Sequence, residues 1–193
     1  MRKRAKVLMV LGALCLAGAL GLTVYNIYDE YRAEKSSDES LSSLRVSIQE
    51  KEEQPILPEP QVMMTELKVD GRGYVGILDF PSLELSLPVQ GEWSNQLLKY
   101  APCLYDGNIY DGMTIAGHNY RSHFSPLKRM LPGEEIRFTD VDGNVWTYVL
   151  ETTEVIDGTD VEGMLSGDWD LTLFTCTYGG KERYTLRCTR VMG

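Results

Sequence analysis

Cysteine and histidine are scarce here: the 193 residues hold four of the first and two of the second. No Cys-x-x-Cys pair and no His-rich spacing occurs, which removes the usual zinc patterns. Beyond the first six residues there is no Lys/Arg cluster, and the net charge is −9, so nucleic acid is a poor partner. No βαβ rhythm, internal repeat or low-complexity tract runs through residues 70–193. The acids Glu134, Glu135, Glu162 and Asp168 are scattered and form no oxygen-ligand loop, so neither a metal nor a cofactor is expected. Of the cysteines, Cys15 sits in an apolar run, and Cys103, Cys176 and Cys188 cannot all pair with one another. One of the three stays free, and Cys176 is the choice. Pairing of Cys103 with Cys188 is left open, with small buried apolar roles preferred.

Uncharged sequence from 7 to 28 follows Arg2, Lys3, Arg4 and Lys6. At about 1.5 Å per residue it is long enough to cross a hydrocarbon core of about 30 Å. Basic residues before it and Asp29-Glu30 after it predict a cytoplasmic N-terminus (1–6), a transmembrane helix (7–28) and a C-terminal domain outside. A cleaved signal peptide is the rival, with Ala17-Gly18-Ala19 as its small residues, but the apolar run continues past them. Residues 29–69 read as a solvated extracellular stalk closing on Pro55, Pro58 and Pro60 in an extended form. Leu41, Leu44 and Ile48 allow a short helix within it, over 38–53.

From 70 to 193 the texture is short β-prone runs between turn residues. Strands are predicted over 74–80, 83–89, 114–116, 135–139, 145–155, 170–176 and 183–191. Asp142-Gly143-Asn144 makes a hairpin turn, and short helical turns are predicted after Ser94, over 124–130 and after Asp160. The fold class that fits is all-β: a closed, mostly antiparallel barrel of seven to eight strands with short helices.

Within that domain, Leu171-Thr172-Leu173-Phe174-Thr175-Cys176 puts a cysteine at the end of a β-prone run, and Arg183 opens the next. Upstream, Thr114-Ile115-Ala116-Gly117-His118-Asn119 brings an imidazole to a strand end. If the last two strands form a hairpin, Cys176 and Arg183 face each other at about 5 Å between Cβ atoms. Arg187 shares that face but lies roughly 13 Å further along, so it is only a fallback. His123 precedes a helical turn, where a cap or solvent role is expected, so His118 is preferred. Thiol, imidazole and guanidinium together are the inventory of a thiol acyl-transfer enzyme. Cys176 attacks, His118 carries the proton, and Arg183 steadies the oxyanion, with the Thr177 N–H as second donor.

These three elements, in this order and spacing, resemble the sortase family of cell-surface cysteine transpeptidases over roughly residues 70–193. The resemblance implies a β-barrel, and a housekeeping-like or class B/D-like enzyme in a Gram-positive envelope. It implies cleavage of an LPXTG-like sorting signal between Thr and Gly. Transfer then follows to an amine of a cell-wall precursor or a pilin lysine. Thr175, Thr177, Ala116 and Gly117 are expected to line the substrate groove, with apolar residues around Ile115. Competing readings are a thiol peptidase releasing to water and a non-catalytic membrane-anchored β-barrel binding module. An L,D-transpeptidase is disfavoured because no Ser-His-Gly run precedes Cys176.

Overall fold

The computed structural model describes residues 2–52 and 64–191. Arg2–Glu52 is one helix, α1, whose parts belong to two units, Met1–Arg32 and Ala33–Gly193. In the first unit an 18-residue window reaches a mean hydropathy of 2.4, and Leu8, Leu14 and Leu20 are exposed. By length and composition this stretch is a candidate membrane span. Thr23 Oγ1 donates to Ala19 O at 2.9 Å, so its hydroxyl is satisfied within the helix.

In the second unit α1 corrects the solvated stalk. Ala33, Ser37, Ser40, Leu44 and Ile48 recur every three or four residues and are all buried. That stripe is one helix face. Leu44 and Ile48 pack with Val69, Tyr74, Ile77, Ala101 and Val141, and Tyr74 Oη donates to Ser40 Oγ at 2.8 Å. Arg45 pairs with Asp79 at 3.0 Å on the flank. The Leu41/Leu44/Ile48 spacing pointed to a helix, and the small buried residues before it extend the same face. The extended segment expected at Pro55, Pro58 and Pro60 lies outside the described residues.

Nine strands are found among the described residues. They are β1 (Leu67–Val69), β2 (Arg72–Phe80), β3 (Leu85–Gln90), β4 (Cys103–Gly107), β5 (Met113–Gly117), β6 (Glu135–Asp140), β7 (Val145–Asp157), β8 (Leu171–Cys176) and β9 (Glu182–Arg190). Neighbours run β1-β2-β3-β4-β5-β8-β9-β7-β6, and β2 pairs again with β6. That second pairing closes β2 to β9 into an eight-stranded barrel. All pairings are antiparallel except β3–β4 and β5–β8. β1 and β2 join through Asp70-Gly71 with φ of 49° and 77°, the left-handed pair of a two-residue hairpin. Inward residues such as Leu78, Ile115, Phe138, Leu173 and Leu186 fill the core.

The helical turns fall where capping chemistry places them. Ser94 Oγ accepts from Leu97 N at 3.0 Å, ahead of a short 3-10 turn at Leu97–Lys99. Asp160 Oδ1 accepts from Gly163 N at 2.8 Å and starts α2 (Val161–Leu165). α2 lies in the connection from β7 to β8, beside the rim where the candidate residues collect.

Candidate active site

The parallel pairing of β5 with β8 sets the site. Gly117 is opposite Thr175, so His118 and Cys176, the next residues, reach the same rim on adjacent strands. Adjacent strands run about 4.8 Å apart. On the far side of β8, Cys176 is paired with Arg183 of β9. These are the three residues proposed from the sequence; the register makes their strand ends neighbours, and Cys176 and Arg183 line the cavity described below whereas His118 does not. Gly117 has no room for a side chain: a Cβ there would meet the Phe124 ring at 2.4 Å. The glycine lets the chain turn over Phe124 as it delivers His118.

Alternation along β8 separates groove from core. Phe174 and Cys176 are half-buried, whereas Leu173 and Thr175 are buried. Thr175 was expected in the groove, but it sits on the inward face at 2% exposure. Its Oγ1 finds no partner among the described residues. A period of two requires the residue before an outward nucleophile to point inward. Thr177 needs correcting too. Its N–H, expected to face an oxyanion, donates to Glu182 O at 2.9 Å and closes the hairpin.

Beside the thiol lies a cavity of ≈ 230 Å³. Ala116 and Gly117 line it, and Ile115, which is fully buried, does not. Its aromatic wall was not foreseen. Trp93 meets Tyr105 edge-to-face at 5.5 Å, and Tyr105 meets Phe174 at 5.2 Å. Val161 and Met164 of α2 form the facing wall. Tyr105 escaped notice because β4, its strand, is short and bulged between Leu104 and Asp106. Trp93, with Ser94 as the cap beside it, was the signal available.

Arg183 is half-buried, with Nη1 donating to Gly180 O at 2.9 Å and Glu182 O at 3.1 Å. Asp157, also at the cavity, has its carboxyl held below the usual range by the Thr159 hydroxyl and N–H, with the Arg183 charge adding to them. Arg187, the fallback, is 2% exposed and committed elsewhere. Nη1 donates to Met164 O at 2.7 Å and Thr172 Oγ1 at 3.1 Å, Nη2 to Gly163 O at 2.7 Å, and Nε to Glu154. It ties down α2 and so holds the groove wall. Arg187→Ala strands those carbonyls and is expected to cost about 3 kcal/mol in denaturant unfolding, toward the low end for a broken buried pair because Glu154 is half-exposed.

Cys103 and Cys188 are buried free thiols, not a disulfide. Burial pushes Cys103 up to about 12 and Cys188 higher still, so neither ionises near neutrality. His123 also departs from expectation: it is fully buried rather than at solvent. Burial, and next the charge of His118, lower its pKa from 6.5 to about 3. Below pH 6.5 the unfolded chain therefore takes a proton that the folded one refuses, so this group's contribution to stability falls with pH. The slope is up to about 1.4 kcal/mol per pH unit until the folded value is reached. Urea midpoints from pH 7 to pH 4 should fall more steeply for wild type than for His123→Phe, and equal slopes would contradict the assignment.

The family model for the sortase domain matches residues 78–191. The chain belongs to the sortase family. Solved members share the fold at low identity. A Clostridium perfringens sortase D5 transpeptidase matches at TM-score 0.60 and 18% identity, covering 84% of this chain and 99% of its own. Streptococcus pneumoniae sortase C-3 matches at 0.57 and 22%, over 86% and 88%. Listeria monocytogenes sortase A matches at 0.56 and 23%, over 62% and 88%. Among curated protein sequences none matches. Membership of the family supports the general activity, a cysteine transpeptidase acting on proteins that carry sorting signals.

Proposed function

We propose that the chain is a membrane-anchored sortase that cleaves an LPXTG-like sorting signal through a thioester on Cys176. The acyl group then passes to an amine of a cell-wall precursor or a pilin. The observation that supports this reading is the register: Gly117 pairs with Thr175 and Cys176 with Arg183, so the strand ends that carry His118, Cys176 and Arg183 are neighbours, and Cys176 and Arg183 line an apolar groove. A groove walled by Trp93, Tyr105 and Phe174 suits an extended peptide bearing Leu and Pro.

In the first half-reaction, Cys176 Sγ as thiolate attacks the carbonyl carbon of the signal's Thr. The tetrahedral oxyanion collapses, the C–N bond breaks, and the leaving amine of Gly takes its proton from the His118 imidazolium. In the second half, neutral His118 accepts a proton from the incoming amine as nitrogen attacks the thioester and the thiolate leaves. With the Thr177 N–H committed to Glu182, stabilisation of the oxyanion falls to the Arg183 guanidinium, which stays charged throughout. Basic residues before the apolar part of α1, and acids after it, favour a barrel outside the cytoplasm.

Steady-state assays with an LPXTG peptide and an added amine separate the alternatives. The expected product is the amide, lost in both Cys176→Ala and His118→Ala. Cleavage without amide in wild type would favour a thiol peptidase. An unchanged peptide would favour a binding module.

A further inference from the structure

His123 is 0% exposed, and among the described residues neither ring nitrogen makes a hydrogen bond of good geometry. Buried polar groups are nearly always partnered, so an imidazole here calls for a reason beyond filling space. The neighbouring rings supply one. Tyr120 lies 5.3 Å from His123 with 53° between ring planes, and the same Tyr120 ring stacks on His118 at 4.6 Å and 27°. One tight turn carries all three. His123 N donates to Tyr120 O, Phe124 N to His118 O and Ser125 N to Tyr120 O, each at 3.1 Å. The backbones of Ala33 in α1 and of Tyr100 act on His123 as weak hydrogen-bond partners that favour its protonated form, and burial outweighs them. The buried ring is thus fixed between the turn and the helix.

We propose that Tyr120 is a positioning residue for the His118 imidazole, with His123 as the immobile wall behind it. The proposal rests on the reading of His118 as the proton carrier. Proton delivery to a leaving amine requires the imidazole plane to be held in line, and a face-stacked ring restricts its rotation. Where His118 carries the proton, the cation lies over an aromatic face rather than a bare apolar wall. Because His123 stays neutral, it places no second positive charge beside that imidazolium.

The test uses the full-length protein in detergent micelles, an LPXTG peptide and triglycine as the amine. Tyr120→Leu is expected to lower kcat about a hundredfold, the scale of a small misplacement of a reacting group. KM should stay close to wild type, because Tyr120 does not line the cavity. Tyr120→Phe keeps the stacked ring and should stay within about threefold of wild-type kcat. A purely structural role would lower the melting temperature without splitting kcat from KM. Wild-type kcat in Tyr120→Leu, or equal loss in Tyr120→Phe, overturns the proposal. His118→Ala is run beside them. If it turns over normally, the proton-carrier reading and the proposal fall together. If it is inactive while Tyr120→Leu is normal, positioning alone falls. Should Tyr120→Leu not fold, Tyr120→Met carries the same expectation.

Discussion

Arg183→Lys is expected to lower kcat by about 10²–10³-fold, the scale of losing an oxyanion donor, although the positive charge is kept. One edge of the guanidinium is spent on the hairpin, where Nη1 donates to Gly180 O and Glu182 O. Gly158 backs it so closely that a Cβ there would lie 2.9 Å from Nη1. Those contacts aim the group, and a guanidinium keeps further donors for a developing oxyanion. An ammonium is a point charge without that planar fork and cannot be both held and offered in the same way. Arg187→Ala is the contrast, since its main effect should be on stability, with any loss of activity in the folded fraction arising through the loosened α2 wall and so appearing in KM. Steady-state kinetics with parallel unfolding curves check both. Lysine at position 183 within about threefold of wild type would remove the oxyanion role.

The second large effect concerns the helix that follows the candidate span. A fragment beginning at residue 64 lacks Leu44 and Ile48 and uncovers Tyr74, Ile77 and Val141. Burying two such aliphatic side chains contributes about 3–6 kcal/mol. The Ser40–Tyr74 hydrogen bond adds about 1 kcal/mol. Against a usual total of about 5–15 kcal/mol that is a large share. Relative to a fragment starting at residue 33, the shorter one should melt roughly 10–20 °C lower, as 1 kcal/mol moves a domain of this size about 2–4 °C. Equal melting temperatures would show that the docked helix contributes nothing. Substrate assays on soluble protein are therefore better run on chains that retain residues 33–52.

Cys176, His118 and Arg183 were legible in the sequence because each sits at a strand end, where local signals are strong. A β-prone run ending at Cys176, a glycine before His118 and the short link from Cys176 to Arg183 marked those strand ends, and the hairpin register between Cys176 and Arg183 is the one the sequence suggested. Which face each neighbour takes was harder to see. Thr175 adjoins Cys176 yet points into the core, because the pleat reverses at every residue. Thr177 adjoins it on the other side, and its N–H closes the hairpin, a demand of backbone pairing that the side-chain pattern does not reveal. The groove wall depends on long-range pairing. Tyr105 becomes a neighbour of Phe174 only when β4 joins β5 and β5 joins β8. The docked part of α1 was misread for a related reason. Ala33, Ser37 and Ser40 look like solvated stalk composition, and only close packing against the barrel turns small residues into an interface.

Trapping the covalent intermediate tests the central claim most directly. The full-length protein is mixed with an LPXTG peptide without added amine, quenched in acid and mapped by mass spectrometry after digestion. The account predicts an acid-stable thioester on the fragment containing Cys176, carrying the peptide through its Thr, and no such adduct in Cys176→Ala. Cleaved peptide with Cys176 unmodified, or an adduct on Cys103 or Cys188 instead, would contradict it.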